Sequence, residues 1–185
     1  MILWHLGATL LAVRYVYRDP AMDLRWVLVG ALLPDLIDKP VGSVFFHDVF
    51  GTHRLAAHAM VLPIAAFFLV LAVTRRGRTR KALVGLVIGW LFHLVLDAAW
   101  TTPEAFWWPF FGWEFPPQPD SAIGPLLARM LSDPLVWAGE VAGAAYLIYL
   151  WRRYLSAPGS LRGFATTGRI PMRPSAGGAG GCGVP

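Results

Sequence analysis

Two stretches of this chain carry histidine and aspartate at spacings that suit metal binding. His93 and Asp97 are four residues apart, so one face of a helix would present an imidazole next to a carboxylate. Asp35 and Asp38 are three residues apart and share a face if the helix that contains Asp35 extends to Asp38. Each pair alone occurs often by chance, and the two together predict a site.

A third pair, His53 and His58, and the single histidine His5 extend this candidate set. His53 and His58 are five residues apart, which suits one site if His53 lies in a loop and His58 on the first turn of a helix. The only cysteine is Cys182, near the end of the chain, so a thiolate cluster within one chain is excluded. Imidazole and carboxylate ligands predict a divalent metal, with zinc as the first choice and manganese or iron as alternatives.

The composition indicates that lipid is part of the solvent around these residues. Of 185 residues, 56% are hydrophobic and 15% are charged, and the mean hydropathy is +0.53. A soluble domain is about half apolar and about a quarter charged. The composition therefore excludes a disordered chain, a disulfide scaffold and an ordinary cytosolic enzyme.

The apolar runs predict an all-α integral membrane bundle of about five segments. Three runs are long enough to cross a membrane with few charges: residues 55–74, 82–100 and 134–151. Two shorter N-terminal segments, 1–17 and 26–37, precede them. The second of these is only 12 residues long, so it is either a half-span or a helix buried against the others.

The distribution of Lys and Arg predicts the orientation of the bundle. Residues 75–81 contain five basic residues, which places this loop in the cytoplasm. Alternation of the segments then puts thirteen basic residues inside and leaves Lys39, Arg54 and Arg129 outside. We therefore expect a multi-pass protein of the cell membrane with its N-terminus outside and its C-terminus in the cytoplasm. Because the cytoplasmic arginines already explain the basic charge, no nucleic-acid partner is expected.

This orientation brings all five histidines toward the outer side, although the histidines were not used to derive it. The spans belong to a predicted membrane domain at residues 1–155. Residues 156–185 are rich in Gly, Pro and Arg, which predicts a disordered tail.

Four motifs in order resemble one family of membrane proteins. They are GALLPDLIDKP (30–40), GTHRLAAH (51–58), GWLFHLVLDAAW (89–100) and TPEAFWWPFFG (102–112). They resemble the membrane-bound metal-dependent hydrolases, also described as LexA-binding, inner-membrane-associated hydrolases. The all-helical arrangement is more distantly similar to the zinc-dependent phospholipase C and nuclease fold. The resemblance implies a metal and catalytic set of His5, Asp35, Asp38, His53, His58, His93 and Asp97.

Metal-assisted hydrolysis is the reaction that such a set would perform, with a phosphoester or lipid-like molecule as the expected substrate. In this interpretation Asp38 is the general base and the other six residues hold the metal. Arg54 either clamps a phosphate or forms a plain salt bridge with an outer aspartate. Glu140 is a further ligand, a partner for a ligating histidine, or a polar contact between helices.

Two other classes of function are compatible with the same residues. A metal or proton transporter would carry such residues near the midplane and toward both faces. A non-catalytic membrane protein could use the metal as a structural clamp. The aromatic segment 106–117 is either a belt at the membrane interface or an apolar lid for a lipid-like substrate. The sequence does not predict an oligomeric state.

Overall fold

The computed structural model describes residues 1–118 and 122–171, and all regular structure in these ranges is helical. Short helical turns at Val41–Phe45, Ala56–His58, Ala99–Thr101 and Trp151–Leu155 connect or extend the main helices. The α-helices are α1 (Ile2–Val16), α2 (Leu24–Pro40), α3 (His47–Phe50), α4 (Val61–Val73), α5 (Arg78–Leu96), α6 (Pro103–Phe106), α7 (Ile123–Ser132), α8 (Pro134–Leu150) and α9 (Ser160–Thr167).

The most extensive helix contact joins α2 to α5, and glycine makes it possible. A Cβ atom at Gly30 would lie 1.9 Å from the carbonyl oxygen of Leu86. A Cβ atom at Gly89 would lie 2.0 Å from the carbonyl oxygen of Val27. The two backbones therefore touch, as small residues allow between membrane helices. This contact sets the distance between the aspartates of α2 and the histidine of α5.

Helix α1 packs against α8 and α2. Glu140 on α8 accepts a hydrogen bond at Oε2 from the backbone N–H of Leu3, at 3.1 Å. The first N–H groups of a helix lack partners within the helix, so this carboxylate satisfies one of them. Of the roles expected for Glu140, the structure shows the polar contact between helices.

Two apolar clusters fill the bundle. One contains Leu10, Val13 and Val27 and joins α1 to α2, with Leu150 and Ile170 packed against them. The other is near the C-terminal end of α5 and contains buried side chains from four helical segments: Ala57, Trp90, Leu94, Ala99 and Phe106. The second cluster lies beside the candidate site described below.

Only one helix in the described ranges is long and apolar enough to cross a membrane, which corrects the prediction of three spans. That helix is Arg78–Leu96, with 19 residues. Helices α4 and α8 are shorter than the predicted segments, with 13 and 17 residues. In contrast, α2 has 17 residues and extends beyond the predicted 26–37 at both ends.

The start of α4 explains the largest difference from the predicted segment 55–74. Residues 56–58 form a separate 3₁₀ turn, and Ala59 is extended. The backbone N–H groups of Leu55, Ala57 and His58 donate to the side chain of Asp38 on α2. These N–H groups are satisfied by a distant carboxylate, so the chain does not need to be α-helical here.

Part of the segment predicted to be disordered is helical. Helix α9 occupies Ser160–Thr167, and Ile170 is buried against the cluster between α1 and α2. The carbonyl oxygen of Gly168 accepts a hydrogen bond from the N–H of Leu24 at 2.8 Å, which joins this segment to the start of α2. The remainder of the predicted tail, 172–185, lies outside the described residues.

Candidate metal centre

Four of the six predicted ligands form one cluster. Asp35 comes from α2, His58 from the 3₁₀ turn, His93 from the last turn of α5, and Asp97 from the residue that caps α5. One ligand atom from each lies within 4.8 Å of the others. We call these four residues the His/Asp group. The group could hold a metal ion.

His93 has its ring fixed by the contact between α2 and α5. Its Nδ1 donates to the carbonyl oxygen of Ala31 at 2.7 Å, which leaves Nε2 as the available ligand atom. That Nε2 atom lies 3.4 Å from Nε2 of His58. The sequence does not reveal that the carbonyl of Ala31 orients His93, because this hydrogen bond depends on the close packing of α2 against α5.

His58 is held in the same way, by a carboxylate. Its Nδ1 donates to Oδ2 of Asp38 at 2.7 Å, and its Nε2 faces the centre of the group. Both residues are almost completely buried. A carboxylate that fixes the tautomer and orientation of a ligating histidine is a common companion of metal sites.

Asp38 also builds the turn that carries His58. It accepts hydrogen bonds from the N–H groups of Leu55 (2.8 Å), Ala57 (3.2 Å) and His58 (3.0 Å). Trp90 on α5 fixes the other side of the turn by donating from Nε1 to the carbonyl oxygen of Ala57 at 2.8 Å. With four donors on its two oxygens, Asp38 fixes both the ring of His58 and the turn that carries it. These bonds favour a positioning role, and the expected role of Asp38 as general base stays a prediction.

The two aspartates of the group face its open side. Oδ1 of Asp35 lies 3.6 Å from Nε2 of both His58 and His93, and Oδ2 of Asp97 lies 3.7 and 3.9 Å from the same two atoms. The side chains of Asp35 and Asp97 are 15% and 16% exposed, whereas those of the histidines are at most 1% exposed. Any molecule that reaches the group therefore approaches from the carboxylate side.

His5 lies next to the group without completing it. Its ring stacks on that of His93, with centroids 4.3 Å apart, and its Nε2 is 3.0 Å from Oδ1 of Asp97. Its Nδ1 donates to the carbonyl oxygen of Met1. His5 thus contacts Asp97 on the oxygen that does not face His58.

Two cations flank the aspartates. The Nζ of Lys39 is 2.5 Å from Oδ2 of Asp35. The guanidinium of Arg54 donates to the hydroxyl of Thr102 (3.1 Å) and to the backbone carbonyl of Asp97 (3.0 Å). The pairing of Asp35 with Lys39 can be inferred from their spacing of four residues in one helix. The hydrogen bond from Arg54 to Thr102 cannot be inferred in this way, because the two residues are distant in the sequence.

The structure does not bring His53 into the His/Asp group. His53 lies in the loop before the 3₁₀ turn, and its Nδ1 is buried without a hydrogen bond to any of the described residues. Burial lowers the pKa of His53 to about 4, and the adjacent Arg54 guanidinium adds to the effect. Of the predicted ligands, His5 and His53 therefore lie outside the cluster.

The chemistry of the group fits a divalent ion. A tetrahedral site with bonds of about 2.1 Å has ligand atoms about 3.4 Å apart. The four imidazole–carboxylate distances are 3.6 to 3.9 Å and the imidazole–imidazole distance is 3.4 Å. Oδ1 of Asp35 is buried and has no hydrogen-bond partner within residues 1–118 and 122–171. A buried carboxylate oxygen without a donor is costly unless a cation satisfies it.

The chain matches one known protein family. The sequence pattern of the YdjM inner membrane protein family matches residues 1–158. The chain belongs to this family. The match contains every residue of the His/Asp group and Asp38, and it confirms the expected association with a membrane.

Membership of the YdjM family supports the membrane-bound part of the resemblance found in the sequence. Hydrolase activity and the similarity to the zinc-dependent phospholipase C fold stay predictions. No curated protein and no solved structure matches the chain.

Proposed function

We propose that this YdjM-family chain is a membrane-embedded, metal-dependent hydrolase of a phosphoester or lipid-like substrate. The observation that carries the proposal is the His/Asp group itself: two oriented imidazoles and two partly exposed carboxylates whose ligand atoms all lie within 4.8 Å of one another. A structural zinc site normally has four protein ligands, whereas a catalytic site has three and keeps the fourth position for water or substrate. The exposed carboxylate edge favours catalysis.

Asp35, His58 and His93 would hold the ion, with zinc as our first choice, and would leave the fourth position for water. A bound divalent ion would supply an activated water at neutral pH and polarise the oxygen of the scissile bond. His58 and His93 would bind through Nε2, since their Nδ1 atoms already donate to Asp38 and Ala31. Asp35 would bind through the Oδ1 that lacks a donor.

Asp97 is our candidate for taking up the proton of the attacking water. Its Oδ2 faces the two ligating histidines, and its Oδ1 lies 3.0 Å from Nε2 of His5. A proton received at Oδ1 can therefore pass to a buried imidazole beside it. In this proposal Asp97 takes the role that was expected for Asp38.

Charge around the open edge favours an anionic substrate. Lys39 and Arg54 lie on either side of the aspartates, and Nε of Arg54 has no hydrogen bond to a described residue. The guanidinium is fixed by Thr102 and by the backbone of Asp97, so its Nε–H is held in a defined direction in which it can donate. These features support a role for Arg54 in binding a phosphate oxygen.

The aromatic segment 106–117 supports a lipid-like substrate. The carbonyl of buried Phe106 accepts from the N–H of Met60, two residues after His58, so the segment starts next to the site. Beyond it, Phe110 is 78% exposed and Trp113 is 76% exposed. Exposed aromatic rings beside the entrance suit contact with acyl chains and headgroups.

The orientation with the N-terminus outside and the C-terminus in the cytoplasm belongs to the same proposal. It puts the open edge of the group at the outer surface. A reporter fused after Arg78 should then read cytoplasmic, and one fused after Pro117 should read external. The opposite pair of results would reject this orientation without affecting the metal site.

The activity is tested on the purified full-length protein in detergent. Metal content is measured by mass spectrometry, and hydrolysis is followed with a phosphodiester chromogenic substrate and a panel of phospholipids. We expect about one zinc per chain and metal-dependent turnover, with Asp97→Asn reducing turnover by roughly 10²–10⁴-fold, as loss of a general base does. Stoichiometric metal without turnover on any of these substrates would contradict the hydrolase proposal and favour a structural metal.

A further inference from the structure

A cavity lies at the opposite end of α5 from the His/Asp group. It is formed where α2 and α5 begin and α9 ends, and its volume is about 490 Å³. Arg78, the first residue of α5, precedes His93 by 15 residues, which corresponds to about 22 Å along the helix. Its wall includes four cationic side chains and one indole ring, from Arg25, Trp26, Arg78, Lys81 and Arg169. We call it the basic cavity.

Two of its four cations are already paired. Arg25 forms an ion pair with Asp23 at 2.6 Å and also donates to the carbonyl oxygen of Ala165 on α9. Lys81 lies 3.2 Å from Asp19 in the loop before α2. These contacts fix the shape of the cavity and leave little net charge on either pair.

The other two cations supply the excess charge. Arg78 and Arg169 line the same cavity from α5 and from the segment after α9. Neither forms a direct ion pair among residues 1–118 and 122–171, although Arg169 lies near enough to Asp19 and Asp23 to help lower the pKa of both carboxyls. Asp23, the single carboxylate in the wall, is already bonded to Arg25. The wall therefore presents two guanidinium groups to one space.

The start of α5 makes this excess unfavourable without an anion. The partial positive charge at a helix N-terminus favours acidic residues in the first turn and disfavours basic ones. The first turn of α5 has no acidic residue and contains Arg78, Arg80 and Lys81, and Gly77 provides no side-chain cap. An anion in the basic cavity would be stabilised by the helix terminus and by the two guanidinium groups together.

The apolar part of the wall indicates the source of that anion. The indole of Trp26 is 39% exposed and lines the cavity together with Ala82 and Leu83. These two residues lie near the start of α5, the one helix in the described ranges that is long and apolar enough to span a membrane. Trp is enriched where membrane helices reach the headgroups, and cations at that depth attract anionic lipids. We propose that the basic cavity binds the phosphate headgroup of an anionic phospholipid.

Native mass spectrometry of the full-length protein in detergent tests this proposal. Phosphatidylglycerol and phosphatidylcholine with the same acyl chains are titrated separately, and inorganic phosphate is titrated in a third arm. We expect phosphatidylglycerol to bind at least tenfold more tightly than phosphatidylcholine. Inorganic phosphate should compete only weakly, since it lacks the apolar part that contacts Trp26.

Matched variants locate the binding. The double variant Arg78→Gln/Arg169→Gln should weaken phosphatidylglycerol binding by at least tenfold, since each cation at the membrane surface contributes about fivefold. The control Arg75→Gln/Arg162→Gln removes the same charge from residues that do not line the cavity, and should change binding less than threefold. Circular dichroism confirms that both variants are folded.

Three results would overturn the proposal. They are equal binding of the two lipids, an equal loss in the cavity and control variants, or inorganic phosphate competing as effectively as phosphatidylglycerol. None of them depends on metal content or hydrolysis, so the inference stands or fails separately from the proposed function.

Discussion

Replacing Asp38 with asparagine separates two roles that predict opposite results. If Asp38 were the general base, metal binding would be preserved and only turnover would fall. In the structure, Oδ2 of Asp38 accepts three hydrogen bonds and Oδ1 accepts one. We therefore expect Asp38→Asn to weaken metal binding and to destabilise the fold.

The size of the effect follows from the number of donors. The amide retains most bonds if its oxygen takes the place of Oδ2, but its NH₂ group then faces the N–H of Ala57. Leaving that buried amide unsatisfied costs about 1–3 kcal/mol. The three other bonds lose a charged acceptor, which brings the expected destabilisation to roughly 2–5 kcal/mol. Metal affinity should fall about 10–100-fold, as it does when the partner of a ligating histidine is lost.

The assay combines zinc competition titration with thermal unfolding in detergent. For a chain of this size, the expected destabilisation lowers the unfolding midpoint by at least about 4 °C. Asp133→Asn is the matched control, because Asp133 also accepts a backbone N–H, that of Leu135 at the start of α8, outside the His/Asp group. The control should keep its metal affinity. Metal affinity and midpoint both unchanged in Asp38→Asn, with turnover lost, would refute the positioning role.

Two further predictions test the ligands and the helix contact that places them. His93→Ala should lose bound metal while the protein still inserts, because Nε2 of His93 faces the group, whereas His47→Ala should retain metal. Metal content unchanged in His93→Ala would reject the ligand assignment. Gly89→Ala places a methyl group 2.0 Å from a carbonyl oxygen of α2, so it should separate α2 from α5, cost about 1–3 kcal/mol or more and lower metal affinity. A Cβ atom at Gly124 would have no contact within 4 Å among the described residues, so Gly124→Ala should change neither metal affinity nor the helix contact. Equal behaviour of the two glycine variants would contradict the contact between α2 and α5.

The sequence predicted the ligands that share a helix better than those that depend on contacts between segments. The spacing of His93 and Asp97 placed both at one end of α5, and the structure has both in the group. The spacing of Asp35 and Asp38 predicted a shared face, but the two residues differ in role. Which of them faces the centre depends on where the 3₁₀ turn of His58 lies against α2, and spacing within one helix contains no information on that.

The membrane segments show a similar limit. Hydropathy summed over residues 55–74 treats Leu55 and Ala57 as parts of a helix because they are apolar. In the structure their N–H groups bind Asp38, which precedes them by 17 and 19 residues. Hydropathy summed over residues 55–74 does not include Asp38, so it cannot detect these hydrogen bonds. The aromatic segment 106–117 has exposed rings at Phe110 and Trp113 and a buried one at Phe106. Its role as a membrane-interface belt or as an apolar lid stays a prediction.

The hydrogen bond from His93 to the carbonyl of Ala31 has a consequence for biosynthesis. These residues are 62 positions apart in the chain. The ribosome therefore releases α2 well before the segment that orients this ligand and completes the group. The ion pair between Lys39 and Asp35 needs only α2, because the two residues are four apart on that helix, so it can form before α5 is inserted. The carboxylate of Asp35 therefore has a counter-ion on its own helix and does not depend on α5 to compensate its charge in the membrane.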